Sequence, residues 1–335
     1  MRIFRHFTEL PGSARGGVIA LGNFDGVHRG HQAVIGTARR LARQQGVGCG
    51  VMTFEPHPRA VFAPHTEPFR LTPFRIKARC IEALGVDILI AQHFDQEFSS
   101  HTADQFIQRV LVQSLGVRHV VVGYDYVFGS RRGGNVALLK QAGNALGFGV
   151  TSLDPVTSAE GVLYSSTEVR ACLIDGRPHD AAGLLGRYWE VEGRVERGDQ
   201  RGRQLGFPTA NLLLGEYQRP ALGVYAVRAG IDRGPETVWH NGIANFGRRP
   251  SFDDRDPLLE VHLLDHSGDL YHQHLRVALV SFVRPERVFD GREALITQIT
   301  EDIRTVRTVL APHRFSDRPG PIVSAETAVT DLPPP

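Results

Sequence analysis

Val18-Ile19-Ala20-Leu21-Gly22-Asn23-Phe24-Asp25-Gly26-Val27-His28-Arg29-Gly30-His31 passes from an apolar run through a glycine-rich turn into helical periodicity. Beyond it Val34, Ile35, Ala38, Leu41 and Ala42 recur at the spacing of one helix face. A buried strand, a tight turn and a helix start therefore follow one another. In such a turn the open backbone N–H groups and the positive end of the helix dipole favour an anion. His28 and His31 stand three residues apart, close enough for both rings to reach one phosphate. The chemistry this suits is transfer from a nucleoside triphosphate, with the imidazoles stabilising charge on the moving group. A glycine-rich turn alone is common; the added His-x-Gly-His makes this one specific. A Walker Gly-Lys-Ser/Thr pattern is absent.

Outward from this turn, apolar runs alternate with helical patterns. Strands are expected at 18–21, 47–54, 88–92, 119–122 and 150–153, with helices at 32–45, 73–84, 103–115 and 135–146. That alternation is the pattern of a parallel α/β sheet, which binds ligands at the carboxyl ends of its strands. The character changes near 183–188. Short strand patterns at 189–197, 223–229, 237–244, 258–264 and 275–282 follow, separated by Gly, Pro and Asp turns. These predict a small antiparallel barrel or sandwich. Leu295, Ile299, Ile303, Val306 and Leu310 mark a closing helix, with Asp290 and Glu293 as its expected N-terminal cap. The reading divides the chain into 1–185, 186–313 and a disordered, Pro-rich tail at 314–335.

With 335 residues the chain has length for two cores. A net charge of +2 is too small to argue for a nucleic-acid partner. Lysine occurs only at 77 and 140, so the expected phosphate-binding cation is arginine, whose fork holds two oxygens. Cys49, Cys80 and Cys172 are scattered, pointing to a reducing compartment rather than a disulfide or zinc framework. No signal-peptide core or membrane-length run is seen, and a cytoplasmic protein is expected.

Further constellations carry possible chemistry, each with a plainer alternative. Ser165-Ser166-Thr167-Glu168-Val169-Arg170 offers hydroxyls and an arginine for a triphosphate, or an ordinary helix cap. Gly123-Tyr124-Asp125-Tyr126-Val127-Phe128-Gly129 reads as a ligand flap or a solvated loop. Thr53-Phe54-Glu55-Pro56-His57-Pro58 could wall a flat ligand or form a rigid turn. In the second half, Gly198–Asn211 is glycine-rich and ends in Pro208-Thr209-Ala210-Asn211. On an extended segment Thr209 and Asn211 point the same way, as neutral oxygen donors suited to Mg²⁺ shared with ATP. Glu260 interrupts an alternating apolar strand, as a general base for a hydroxyl would, or as an outward-facing glutamate would.

Taken together, GNFDGVHRGH, TFEPHP, GYDYVFGSRRGGN and SSTEVR resemble the adenylyltransferase half of the bacterial bifunctional riboflavin kinase/FAD synthetase family. GRQLGFPTANL, GVYAV, NGIANFGRRPSF, LEVHLLDHSGDLY and the final helix resemble its kinase half. The resemblance runs in order from about residue 15 to 312. It implies a Rossmann-like nucleotidyltransferase sheet followed by a β-barrel kinase with a closing helix. It implies that riboflavin is phosphorylated to FMN, and that FMN is adenylylated to FAD with release of pyrophosphate. ATP would be co-substrate of both steps, Mg²⁺ the cofactor, and FMN and FAD product ligands, with no nucleic-acid or membrane partner.

By the same resemblance His28, His31 and Glu260 are catalytic. Gly22, Asn23, Phe24, Asp125, Ser166, Thr167, Arg170, Gly202, Arg203, Gly206 and Thr209 bind ATP, and Thr209 and Asn211 hold the metal. Phe54, His57, Pro58, Tyr126, Phe128, Asn245 and Arg284 flank the flavin. The chain departs from the family pattern at Tyr126 for phenylalanine, Ser251 for threonine, Arg203 for lysine and His272 for glycine. If position 272 needs positive φ, histidine is strained there. Other acceptors, such as phosphopantetheine or a nicotinamide mononucleotide, and a flavin-sensing or RNA-binding regulator that has lost catalysis are the competing readings.

Overall fold

The computed structural model describes residues 1–197, 201–247 and 257–311, without the side chains of residues 201 and 203. Residues 198–200, the Arg249-Pro250-Ser251 segment and the expected tail at 314–335 lie outside the described residues. The chain forms two compact units. Among the described residues, one comprises Met1–Glu67 and Pro73–Ser165; the other comprises Pro68–Thr72 and those from Ser166 to residue 311.

The first unit is built on β1 (Arg2–Phe4), β2 (Val18–Leu21), β3 (Cys49–Glu55), β4 (Ile88–His93), β5 (His119–Gly123) and β8 (Gly149–Leu153). A small hairpin, β6 (Val127–Phe128) with β7 (Gly134–Asn135), stands apart from that sheet. The sheet is parallel in the order β1-β4-β3-β2-β5-β8. Every residue of β2 is buried, because a central parallel strand is covered on both faces. The helix Arg29–Gln45 turns its Ala33, Val34, Ile35, Ala38 and Ala42 inward, as the periodicity predicts, and Gly46 ends it at φ 64°. β1 was not expected; three residues at a sheet edge carry too little pattern to be read. The helix expected at 103–115 opens with a Thr102/Gln105 capping box and then becomes π-helical over Phe106–Ser114.

The second unit has an antiparallel sheet of β9 (Trp189–Arg194), β10 (Ala210–Leu213), β11 (Gly223–Ile231), β12 (His240–Gly247), β13 (Leu258–Leu263) and β14 (His274–Pro285). Its order is β10-β13-β12-β11-β14-β9, and a bridge between Glu196 and Asn211 brings its edges together into a nearly closed barrel. Val224, Ala226, Ile243 and Val280 pack against Val306 and Leu310 of the helix Arg292–Val309. The strap Pro68–Thr72 is held in this unit: Trp189 Nε1 donates to the Leu71 carbonyl at 2.9 Å, and Arg70 pairs with Glu216 at 3.2 Å. Among the described residues no helix is long and apolar enough to cross a membrane.

One expectation about the closing helix is corrected. Its N-cap is Gly291, at φ 101°, with no side-chain cap, so Asp290 lies outside the first turn and cannot reach its amides. On its inner face Asp302 is buried beside Val306, although the apolar period leaves out a charged residue. The reason is Arg284 of β14, whose Nε meets both Asp302 oxygens at 3.0 Å and whose Nη2 donates to Oδ2 at 2.7 Å. Removing one partner of a buried pair strands the other charge. Asp302→Ala is therefore expected to lower the stability of this unit by about 3 kcal/mol in a urea titration.

All three thiols are buried and unbridged. Burial, with Asp87 adding repulsion, pushes the Cys49 thiol up to about 12. At pH 8 the native protein should react with Ellman's reagent only as slowly as it opens, whereas all three thiols react at once in guanidinium.

Candidate active site

In the first unit β2 is followed by β3 on one side while β5 lies on the other, so the chain reverses direction across the sheet beside β2. Loops leaving the carboxyl ends of β2 and β5 therefore diverge and leave a crevice. Gly22–His28 leaves β2 and Asp125 follows β5, so these predicted residues share one end of the sheet. Asp125 is exposed there.

The turn is tightly determined. Phe24 and Val27 are non-glycine residues at φ 48° and 43°, each 1 % exposed. Such conformations cost about 1–3 kcal/mol each and persist where the surroundings over-determine them. A Cβ at Gly22 would meet the Phe24 ring at 3.0 Å. His28 is the N-cap of Arg29–Gln45, and its Nδ1 accepts from the His31 backbone N–H at 3.3 Å. Since Nδ1 is the acceptor, the neutral ring carries its proton on Nε2, leaving an N–H donor there. The two rings stack with centroids 3.6 Å apart, and the Phe24 ring meets His31 edge-on at 5.2 Å. The structure thus brings both predicted histidines together. The helix begins at Arg29, three residues before the expected start, because His28 itself supplies the cap.

Beneath the turn lies a group the sequence reading did not single out. Lys77, fully buried on the helix Phe74–Ala83, donates to the Asn23 carbonyl at 2.9 Å and to Glu55 Oε1 at 2.7 Å. Thr53 Oγ1 also donates to the Asn23 carbonyl, at 3.0 Å. The available signal was a lysine at the centre of an apolar helix face with Cys80 and Ile81, in a chain nearly without lysine.

Of the predicted flavin residues, Phe54, Phe128 and Tyr126 belong to one aromatic cluster. Phe54 touches Phe98, Phe98 touches Phe106, Phe106 touches Phe128, and Tyr126 stacks on Phe128 at 5.7 Å. The Tyr126 hydroxyl is buried without a hydrogen bond among the described residues, and burial raises its pKa. His57 caps the short helix that Pro58 opens, with Nδ1 accepting from the Arg59 N–H at 3.1 Å. Phe62, missed in the sequence, is 69 % exposed and meets Phe94 edge-on.

The second unit assembles its polar residues by strand register. Asn211 of β10 pairs with Glu260 of β13, Glu260 with Asn245 of β12, Asn245 with Val224 of β11, and Val224 with Arg284 of β14. Residues directly opposite one another point to the same face, so these side chains form one row across the sheet. Val224 places that row on the face covered by the helix Arg292–Val309. Asn211 is 6 % exposed, and its Oδ1 has no hydrogen-bond partner among the described residues. Thr209 immediately precedes β10. A Cβ at Gly202 would lie 2.4 Å from the Phe207 carbonyl and 3.3 Å from Thr209 Oγ1, and Gly206 adopts φ 90°. That loop therefore needs both glycines. His272 adopts φ 65°, the left-handed conformation for which a histidine is strained. The predicted Arg284 is engaged by Asp302, as above. Ser166, Thr167 and Arg170 open the helix Ser166–Ile174 in this unit, where Arg170 Nε donates to the Phe69 carbonyl at 2.9 Å.

A parallel sheet with a histidine turn at its switch point, joined in one chain to a small barrel with a polar row, defines a two-domain enzyme that transfers groups from nucleotides. A family model described as FAD synthetase matches residues 10–168, and one described as riboflavin kinase matches 185–310. The bifunctional riboflavin kinase/FMN adenylyltransferase of Escherichia coli K12 is 40% identical over 309 residues, spanning 92% of this chain and 97% of the relative. That of Pseudomonas fluorescens is 42% identical over 313 residues, spanning 93% and 99%. The chain belongs to the bifunctional riboflavin kinase/FMN adenylyltransferase family. A solved structure described as a macrolide-efflux protein from Streptococcus pneumoniae superposes with TM-score 0.80 at 30% identity, covering 91% of this chain and 98% of that one.

The turn's packing makes a direct prediction. A Cβ at Gly30 would stand 2.9 Å from the Tyr164 carbonyl and 3.1 Å from His28 Nδ1. Gly30→Ala should destabilise the first unit by about 1–3 kcal/mol in a denaturant titration, with the far-UV spectrum of the folded form unchanged.

Proposed function

We propose that the barrel unit transfers the γ-phosphate of ATP to riboflavin, giving FMN, and that the His28 turn of the parallel-sheet unit serves a second step in which FMN and ATP give FAD and pyrophosphate. The observation that carries this reading is the cross-strand row Asn211–Glu260–Asn245, which holds one carboxylate between two amides. In the first step Glu260 takes the proton of the riboflavin 5′-hydroxyl as the new O–P bond forms and the bond from the γ-phosphorus to the ADP oxygen breaks. The buried Asn211 Oδ1, without a hydrogen-bond partner among the described residues, and the hydroxyl of Thr209 two positions earlier suit a hard cation, which takes oxygen ligands. Mg²⁺ held by Thr209 and Asn211 would neutralise charge on the ATP phosphates. Gly202, Gly206 and Arg203 shape the phosphate loop, and Asn245 contacts the flavin. Arg284 acts by anchoring the closing helix.

In the second step an FMN phosphate oxygen attacks the α-phosphorus of ATP and the bond to pyrophosphate breaks. No proton need move. The Nε2–H of His28 and the stacked His31 donate to the phosphoryl oxygens as charge accumulates. Gly22, Asn23, Phe24 and Asp125 position ATP, with Ser166, Thr167 and Arg170 as further phosphate and pyrophosphate ligands. Phe54, His57, Pro58, Tyr126 and Phe128 flank the flavin, and the exposed Phe62 ring adds to that surface. The functional boundary is placed near residue 185, and the tail has no assigned role. Substrates are small molecules, without nucleic-acid or membrane partners, and three buried free thiols support a cytoplasmic setting.

A chromatographic time course with riboflavin, ATP and Mg²⁺ tests the scheme. Riboflavin should pass through FMN to FAD, and chelation of Mg²⁺ should stop the first conversion. Glu260→Ala should slow FMN formation at least 100-fold while still converting supplied FMN, and His28→Ala should let FMN accumulate. FMN left unchanged by the native protein while another phosphate is adenylylated would replace the FMN reading. Tight flavin binding without any product would replace both steps.

A further inference from the structure

We propose that Lys77 is a positioning residue for adenylyl transfer. Its buried ammonium holds the carbonyl of Asn23, and through it the turn that carries His28, against the carboxyl end of β3. The inference rests on reading the His28 turn as the adenylyl-transfer site.

Lysine is almost never fully buried unless it is paired. Here the side chain has no exposed surface, although it rises from a helix whose Ile76, Ala78, Cys80 and Ile81 are all buried. An ammonium has three donors and no acceptor. Three acceptors of the chain surround this one: Glu55 Oε1 at 2.7 Å, the Asn23 carbonyl at 2.9 Å and Thr53 Oγ1 at 3.4 Å. With its donors directed to the protein, Lys77 has none to offer a phosphate, so it does not act on substrate directly.

What it touches gives it a different role. Asn23 is the second residue beyond β2, and its carbonyl accepts from Lys77 and from Thr53 Oγ1 together. Immediately after it the chain enters Phe24 at φ 48°, then Gly26 at φ 88° and Val27 at φ 43°. A run of such residues relaxes unless something fixes its entry point. The doubly bonded carbonyl supplies that fixed point, and the His28 cap supplies the other end. Glu55, the carboxylate paired with the ammonium, closes β3 directly before Pro56, His57 and Pro58. One cation therefore ties the histidine turn and the proposed flavin-side turn to each other. A guanidinium would not substitute, because its planar fork cannot reach three acceptors converging on one point.

Displacement of reacting groups by about 1 Å costs on the order of 100-fold in rate, so misplacement should appear in kcat. The test compares Lys77→Met, His28→Ala and the double variant in the full chain. FMN-to-FAD turnover is normalised to the folded fraction of the first unit measured by calorimetry. Lys77→Met should lower kcat for FAD formation 10- to 100-fold, with KM for FMN and ATP changed less than three-fold. In the His28→Ala background the same change should cost less than three-fold, because the group it positions is gone. Thr53→Val removes only one donor to the Asn23 carbonyl. It should lower kcat about three- to ten-fold with the same loss of effect beside His28→Ala, and it carries the test if Lys77→Met does not fold. Native kcat in the folded Lys77→Met protein, or equal losses in both backgrounds, overturns the inference. Unchanged FAD formation by His28→Ala instead removes the site reading beneath it.

Discussion

Strand register is the constraint on which both units depend. Along a strand, side chains alternate between faces, so a slip of one residue sends a whole set to the opposite side. In the barrel, that slip would carry Glu260 from its place between Asn211 and Asn245 to the other face of the sheet. The apolar alternation of β11 resists it: Val224 and Ala226 pack under the closing helix, whereas Tyr225 and Val227 are fully buried on the opposite side. Hydrophobic burial thus sets the register, and the register assembles the polar row. In the parallel sheet the same constraint acts along the strand direction. Pairing of β2 with β3 and β5 brings their carboxyl ends to the same edge of the sheet, with β3 running on three residues past its last pair with β2 to reach Glu55.

Buried ions supplement this packing where apolar contacts alone would leave geometry loose. Lys77 with Glu55, Arg284 with Asp302, and Arg276 with Glu190 all lie largely out of solvent. Such pairs add little net stability over apolar residues of similar volume, because desolvation offsets most of the attraction. Their directional demand is the useful property. Lys77 fixes the entry to the histidine turn, and Arg284 fixes the closing helix over the polar row. Arg276 of β14, bonded to Glu190 and to Thr237, ties β9 to the loop before β12.

The legible part of the chain was that in which period and burial agree. The helix after the histidine turn, the strands flanking it and the antiparallel series of the second unit all appear where their patterns fall, with ends shifted by a few residues. The misreadings share a cause. Asp290 followed by Glu293 satisfies a capping pattern, yet Gly291 takes the cap because its φ of 101° redirects the chain first. The burial of Asp302 and Lys77 was not singled out, since a single sequence shows a charged residue but not the partner that makes its burial tolerable. β1 could not be read because its three residues owe their extended form to pairing with β4.

By itself the sequence determined which residue types stand at the ends of strands, where glycine is needed, and which of the two chain halves is parallel or antiparallel. Those properties are local, or repeat with a period short enough to see in one strand or helix. Only the tertiary structure decided that Asn211, Glu260 and Asn245 share one row, that Lys77 lies beneath Asn23, and that Ser166–Ile174 packs with the second unit. These residues are separated by many positions along the chain. Their meeting depends on strand order and register, which are fixed by the sum of many apolar contacts and by no single motif.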